Sequence, residues 1–181
     1  MSRYRLALVL MPLALFGGCY TAGFQMNAGP RATRTQLVRN ASTCIAIPAD
    51  GRYGDQVYHG SGQTTAEAVN RAFAPYLNTT VLTAAGEAQH QALLDAAEQQ
   101  CRYLLYSQIL HWEDRATEWS GKPDRVALKL SVFQSKTGKT LDSMVFKANS
   151  SSFTLGGDHP QDLLYKPLKR YAAELFATPT P

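Results

Sequence analysis

Apolar residues along this chain change their spacing several times, and each change marks an element. Thr43-Cys44-Ile45-Ala46-Ile47-Pro48 is a short apolar run of β type, stopped by Pro48 and the Asp50-Gly51 turn pair. The Gly- and Tyr-rich stretch from Arg52 to Gln63 reads as a loop. Ala66, Val69, Phe73, Tyr76 and Leu77 then recur at helical spacing, which predicts an amphipathic helix over 65–77, with Thr64 and Glu67 placed as a capping box. Residues 79–83 form a short strand candidate, and Ala88, Leu93, Leu94 and Ala97 give a modest apolar face to a second helix over about 87–100. Residues 103–110 are almost continuously apolar, as in a central strand covered on both faces. Val126, Leu128, Leu130 and Val132 alternate with Ala127, Lys129 and Ser131, the pattern of a half-buried strand. The turn Ser135–Lys139, with Gly138 free to take a positive φ, returns the chain antiparallel over 140–148. Asp158 and Pro160 open a last helical region with the stripe Leu164, Leu168, Tyr171, Ala172, Leu175 and Phe176. Pro167 divides it into a turn and a main helix over about 167–177. The order β-α-β-α-β-β-β-α predicts a single α/β domain: a mixed sheet of about five strands with helices packed on it.

The amino end carries an address. Arg3 and Arg5 precede an apolar stretch over residues 6–16 and then Gly17-Gly18, a secretory signal over residues 1–18 that is too short and wrongly flanked to span a bilayer. Two small residues directly before Cys19 resemble the lipobox of bacterial lipoproteins, in which that cysteine is acylated and becomes residue one. Each buried acyl methylene contributes ~0.8 kcal/mol, enough for several chains to hold a protein at a membrane. Tyr20 stands where an Asp would retain the product in the inner membrane, so the resemblance implies the periplasmic leaflet of the outer membrane. Residues 19–41 lack period and mix Gly, Pro, Thr and Arg, which reads as a flexible tether before a periplasmic domain over 42–178.

Composition narrows the class. With 181 residues, 45% of them hydrophobic and 18% charged, the chain suits one globular domain and excludes a large multidomain enzyme. The 18 Lys and Arg against 14 Asp and Glu include Arg3 and Arg5 of the signal, so the mature balance is 16 − 14 = +2, which leaves no nucleic-acid footprint.

Candidate chemistry concentrates in His111-Trp112-Glu113-Asp114-Arg115 and on to Trp119, where the central strand runs out into a loop. His111 and Glu113 lack a third metal ligand of known spacing, and no Pro-Cys-x-x-Cys follows to complete a zinc deaminase signature. No metal or cofactor is expected. Gly60–Thr65 leads into a helix start, where free backbone N–H groups favour an anion, although a capped turn explains the same residues. Ser61 with His59 or His159 does not form a recognisable nucleophile–base pattern. One reading of the stretch from His111 to Trp119 is a structural loop, with Trp112 packed in the core, Trp119 a surface anchor, and Asp114, Arg115, Asp124 and Arg125 paired to fix the turn. The other is a contact surface, since Tyr53, Tyr58, Trp112 and Trp119 with Arg115 supply residue types that anchor interfaces. Cys44 and Cys101 each stand at the entrance of a predicted strand. If those strands are parallel neighbours, equivalent positions lie ~4.8 Å apart and a disulfide can form; otherwise the two pack as small hydrophobes.

The segments 50–62, 109–125 and 156–164, among them Ile109-Leu110-His111-Trp112-Glu113-Asp114-Arg115 and Gly156-Gly157-Asp158-His159-Pro160, resemble a family of bacterial lipoproteins known as domain of unknown function 4823. The resemblance spans about 42–177 and implies no established activity. The sequence expectation is therefore an outer-membrane lipoprotein, not an enzyme. It would be attached to the membrane through its lipid and would bind an envelope protein or cell-wall component, or a second copy of itself. The alternatives are a small-ligand or cell-wall binding module using Tyr53, Tyr58, Trp112 and Trp119, and a hydrolase using His111, Glu113 and Asp114.

Overall fold

The computed structural model describes residues 23–28, 36–115, 122–150 and 159–177. Their elements are β1 (Gly23–Ala28), β2 (Ser42–Ile47), β3 (Gly51–Tyr53), β4 (Gln56–Tyr58), α1 (Ser61–Phe73), β5 (Asn78–Ala85), α2 (Gln89–Glu98), β6 (Tyr103–Glu113), β7 (Arg125–Gln134), β8 (Lys139–Asn149), a 3-10 turn (Pro160–Leu163) and α3 (Tyr165–Leu175). One mixed sheet runs β1-β8-β7-β6-β2-β5, and β3 with β4 make a separate two-stranded hairpin. The α/β architecture and its mixed sheet agree with the sequence reading.

β2 lies parallel to both β5 and β6, because helices α1 and α2 carry the chain back between them. From β6 onward the strands are antiparallel. Helices α1 and α3 cover one face, over a core of Ile45, Val69, Phe73, Leu105, Leu128, Phe146, Leu168 and Tyr171. Helix α2 covers the β2 end of the other face through Ala92 and Ala96, which meet Cys44, Leu82, Leu104 and Phe133.

Four local features depart from the sequence expectation. Residues Gly23–Ala28, within the stretch read as tether, pair antiparallel with β8, and Leu37 and Ala41 are buried. Helix α1 starts at Ser61 rather than 65, because Asp50 reaches it from another segment: its Oδ1 accepts the Gly62 N–H at 2.9 Å and its Oδ2 the Gly60 N–H at 3.2 Å. Thr64 and Glu67 therefore lie inside the helix and form no capping box. Gly62 allows this approach, since a Cβ there would stand 2.2 Å from the Pro48 carbonyl oxygen. The buried side of α2 is Ala92 and Ala96, with Leu94 and Ala97 exposed; these small residues let the helix lie close on the sheet. Finally, Arg52 to Gln63 contains the β3–β4 hairpin and the first turn of α1 rather than a loop alone. The stripe expected for the last helix is buried throughout, from Leu164 to Phe176.

Cys44 and Cys101 are joined by a disulfide, with Cα atoms 5.6 Å apart. Cys44 lies in β2, and Cys101 follows α2 directly before β6, so the bond ties two parallel neighbours at their entrance. No described helix is long and apolar enough to cross a membrane.

Candidate functional site

Strand β6 delivers the polar cluster, and a bulge decides which way each side chain faces. Ile109 pairs with Leu128 and His111 with Ala127, so Leu110 is the extra residue. Strict alternation from Leu105 would send His111 into the core with Ile109. The bulge reverses the parity instead: Trp112 enters the α1–α3 core, while His111 and Glu113 take the opposite face.

On that open face Glu113 is only 1% exposed, yet both its oxygens have partners. Arg115 donates from Nε and Nη2 to Oε1, and His111 Nε2 lies 3.2 Å from Oε2. Burial works against the charged carboxylate, but the Arg115 and His111 contacts outweigh it and hold the Glu113 pKa below its ordinary value. Tyr53 of β3 closes the group, its ring edge-on to His111 at 5.3 Å and beneath the Arg115 guanidinium at 5.8 Å.

The other side of the strand end holds a second group. The Tyr58 hydroxyl donates to the Asp114 carbonyl at 3.5 Å, and His159 Nδ1 lies 3.4 Å from Asp114 Oδ1. The Asp114 contact raises the His159 pKa. Asp124, 1% exposed, accepts the Arg115 backbone N–H at 2.6 Å, and burial raises its pKa. A concavity of about 550 Å³ opens beside this group, lined by Tyr58, His59, Ser61, Thr64, Asp114 and Gln161.

The backbone N–H groups at the start of α1 are met by the protein's own Asp50, a capped turn in place of a site for a foreign anion. Hydrogen bonds from the Gly62 and Gly60 backbone hold the Asp50 pKa below its usual value, and they occupy the N–H groups a foreign anion would need. Ser61 Oγ accepts the Gly51 N–H at 2.8 Å, and His59 Nδ1 lies near Asp50 at 3.6 Å; neither geometry pairs Ser61 with a histidine base. Among the described residues no three His, Cys, Asp or Glu side chains converge as a metal site.

Of the residues picked from sequence, Tyr53, Glu113 and Arg115 come together with His111, and Tyr58 meets Asp114 on the opposite side. Trp112 is 3% exposed and packs in the core, as the structural-loop reading placed it and not as the interface reading did, with the Leu110 bulge turning it inward; it also borders the concavity beside Tyr58. Trp119 and Cys19 lie outside the described residues. Arg115 and Asp124 meet as the structural-loop reading paired them, whereas the sequence reading missed Asp50 and the Asp114 partner His159, each brought in from more than eight positions away in the chain.

With this geometry in place, the comparison with known families is decisive on one point. A family model described as domain of unknown function (DUF4823) matches residues 35–175. The chain belongs to this family. Three solved structures resemble this DUF4823 member. The PelC dodecamer from Paraburkholderia phytofirmans shares 14% identity at a TM-score of 0.64, over 87% of this chain and 99% of that one. A single-residue variant of that dodecamer gives 13% identity and a TM-score of 0.63, over 87% and 100%. The LpoB C-terminal domain from Salmonella enterica gives 14% identity and a TM-score of 0.43, over 61% and 84%. At these identities the PelC likeness is one of fold. No curated protein matches the sequence.

Proposed function

We propose that this DUF4823 member is a lipid-anchored protein of the bacterial envelope, acylated at Cys19 and held on the periplasmic side of the outer membrane. Its domain works by binding another envelope component, a protein or cell-wall polymer, and it associates with copies of itself. The observation that carries the binding reading is the internal satisfaction of Glu113. A carboxylate buried between Arg115 and His111, with its pKa lowered, is a poor general acid and positions its neighbours instead. What it positions is Tyr53, 46% exposed, with the Arg115 guanidinium stacked above it. Tyr and Arg are the residue types that anchor interfaces. Self-association draws support from the PelC structures of the same fold, which are dodecamers.

Metabolic palmitate labelling tests the anchor: label is expected in the wild type and absent in Cys19→Ser, and an unlabelled wild type would reject it. Sedimentation velocity tests the assembly. A species larger than one chain is expected, and a monomer at every concentration would reject self-association.

A second reading rests on the concavity of about 550 Å³ beside Tyr58 and Asp114, whose size suits a small ligand such as a cell-wall fragment. Titration of soluble muropeptides is the test; binding weakened by Tyr58→Ala would favour this reading over a protein partner.

A further inference from the structure

Three facts about the sheet combine. Gly23 pairs with Asn149, Asn149 with Arg125, and Arg125 with Glu113, so these four residues form one row across β1, β8, β7 and β6. Cys19 stands four residues before Gly23 in the chain, a span of at most about 14 Å when fully extended. At this same end, on the face that α2 leaves uncovered, lies a concavity of about 770 Å³, with Arg125, Lys147, His111, Leu110, Pro123 and Asn149 in its lining.

The chemistry of that concavity points to its occupant. Arg125 and Lys147 are exposed cations on adjacent strands, and no carboxylate lines it among the described residues. Glu113, on the same face, is neutralised by Arg115. Leu110, on the open face by strand alternation, is 54% exposed beside the cations. An apolar side chain among cations is the pattern that seats on a headgroup layer, where the stem or methyl groups enter and the charges meet phosphate.

We propose that this end of the sheet is a docking surface for anionic phospholipid headgroups, with Leu110, Arg125 and Lys147 against the membrane and the β7–β8 turn at Thr137-Gly138 directed away from it. The proposal rests on acylation of Cys19 for its geometry. A tether of only three residues keeps the Gly23 row at the leaflet, and three strand spacings of ~4.8 Å carry that row across to Glu113. Charge complementarity stands independently, because the cations reach an anionic surface within a Debye length of ~8 Å at physiological salt.

The test uses the mature chain from residue 19 carrying Cys19→Ser, so that neither the signal segment nor an acyl chain contributes. It compares sedimentation with vesicles of phosphatidylcholine alone and of phosphatidylcholine with phosphatidylglycerol. Salt-sensitive binding to the phosphatidylglycerol vesicles is expected. It should weaken by about 25-fold in Arg125→Glu/Lys147→Glu, some fivefold for each cation removed, and hold in Lys136→Glu/Lys139→Glu at the opposite end. A circular dichroism spectrum unchanged from the parent confirms that each variant is folded. Equal binding to both vesicle types, or binding undiminished in the first variant, would overturn the proposal. So would lipid-free self-association that the first variant abolishes, which would assign the face to a second copy. In the acylated protein, a fluorophore on Leu110→Cys should be quenched by headgroup-labelled lipid and one on Lys136→Cys should not; the reverse order would also overturn it. Palmitate labelling is read separately, so loss of the anchor and loss of the docking surface are distinguished.

Discussion

Arg115 illustrates how one residue can hold a polar cluster together. Its guanidinium is the main countercharge of a carboxylate that is almost wholly buried, and its backbone N–H serves Asp124. Arg115→Met is therefore expected to cost about 3 kcal/mol, since it strands a buried charge. Glu113→Gln added to it should recover part of that loss, which urea denaturation of the two variants will measure. The sign of the pH effect follows from the lowered Glu113 pKa. The unfolded state binds a proton at a pH where the folded state does not, so the stabilisation is present above the unfolded value and fades as pH falls through the folded one. Denaturation midpoints should fall on acidification, and Glu113→Gln should flatten that slope. Gln100 makes a different kind of claim. It sits at φ 57° after α2, where Cys101 N–H bonds to the Ala96 carbonyl at 2.9 Å and Gln100 N–H to that of Ala97 at 3.1 Å, the helix-ending arrangement that glycine serves best. Gln100→Gly should stabilise the protein by about 0.5–1 kcal/mol, read as a raised melting temperature.

At the scale of elements, the bond between Cys44 and Cys101 links β2 to the entrance of β6 and closes a loop of 57 residues. On a chain-entropy basis it contributes about 4 kcal/mol. The denatured, unreduced protein should present no free thiol from this pair, and Cys44→Ala/Cys101→Ala should lose roughly that amount; two reactive thiols in the denatured parent would refute the bond. Most elements were legible because their burial is one-sided and local: Val126 to Val132 alternates, and Leu164 to Phe176 keeps a helical stripe. What was hidden came from elsewhere in the chain. Asp50 moves the start of α1, and no window around Ser61 contains it. The α2 face depends on how closely Ala92 and Ala96 fit the sheet, which hydrophobicity alone ranks below Leu94. The bulge at Leu110 leaves no local mark, yet it exchanges the environments of His111 and Trp112. β1 did leave a trace, since Phe24, Met26 and Ala28 alternate with Gly23, Gln25 and Asn27, but over six residues that signal was lost in the surrounding Gly, Pro and Arg.

Across the whole molecule, β1 covers the edge that β8 would otherwise present, with Met26 packed on the main core. Removing residues 19–28 should bare that edge and lower the melting temperature, and light scattering should record slow association of the truncated protein that the full domain does not undergo. The disulfide also carries a consequence for timing. On the export route proposed above, synthesis takes place where thiols stay reduced, and there the domain lacks a contribution comparable to much of the ~5–15 kcal/mol that separates folded from unfolded states. The newly made chain is then easier to keep threadable for passage through a narrow translocation channel. Oxidation on the far side closes the fold behind it, so the same covalent tie that stabilises the finished protein also sets the direction of its journey.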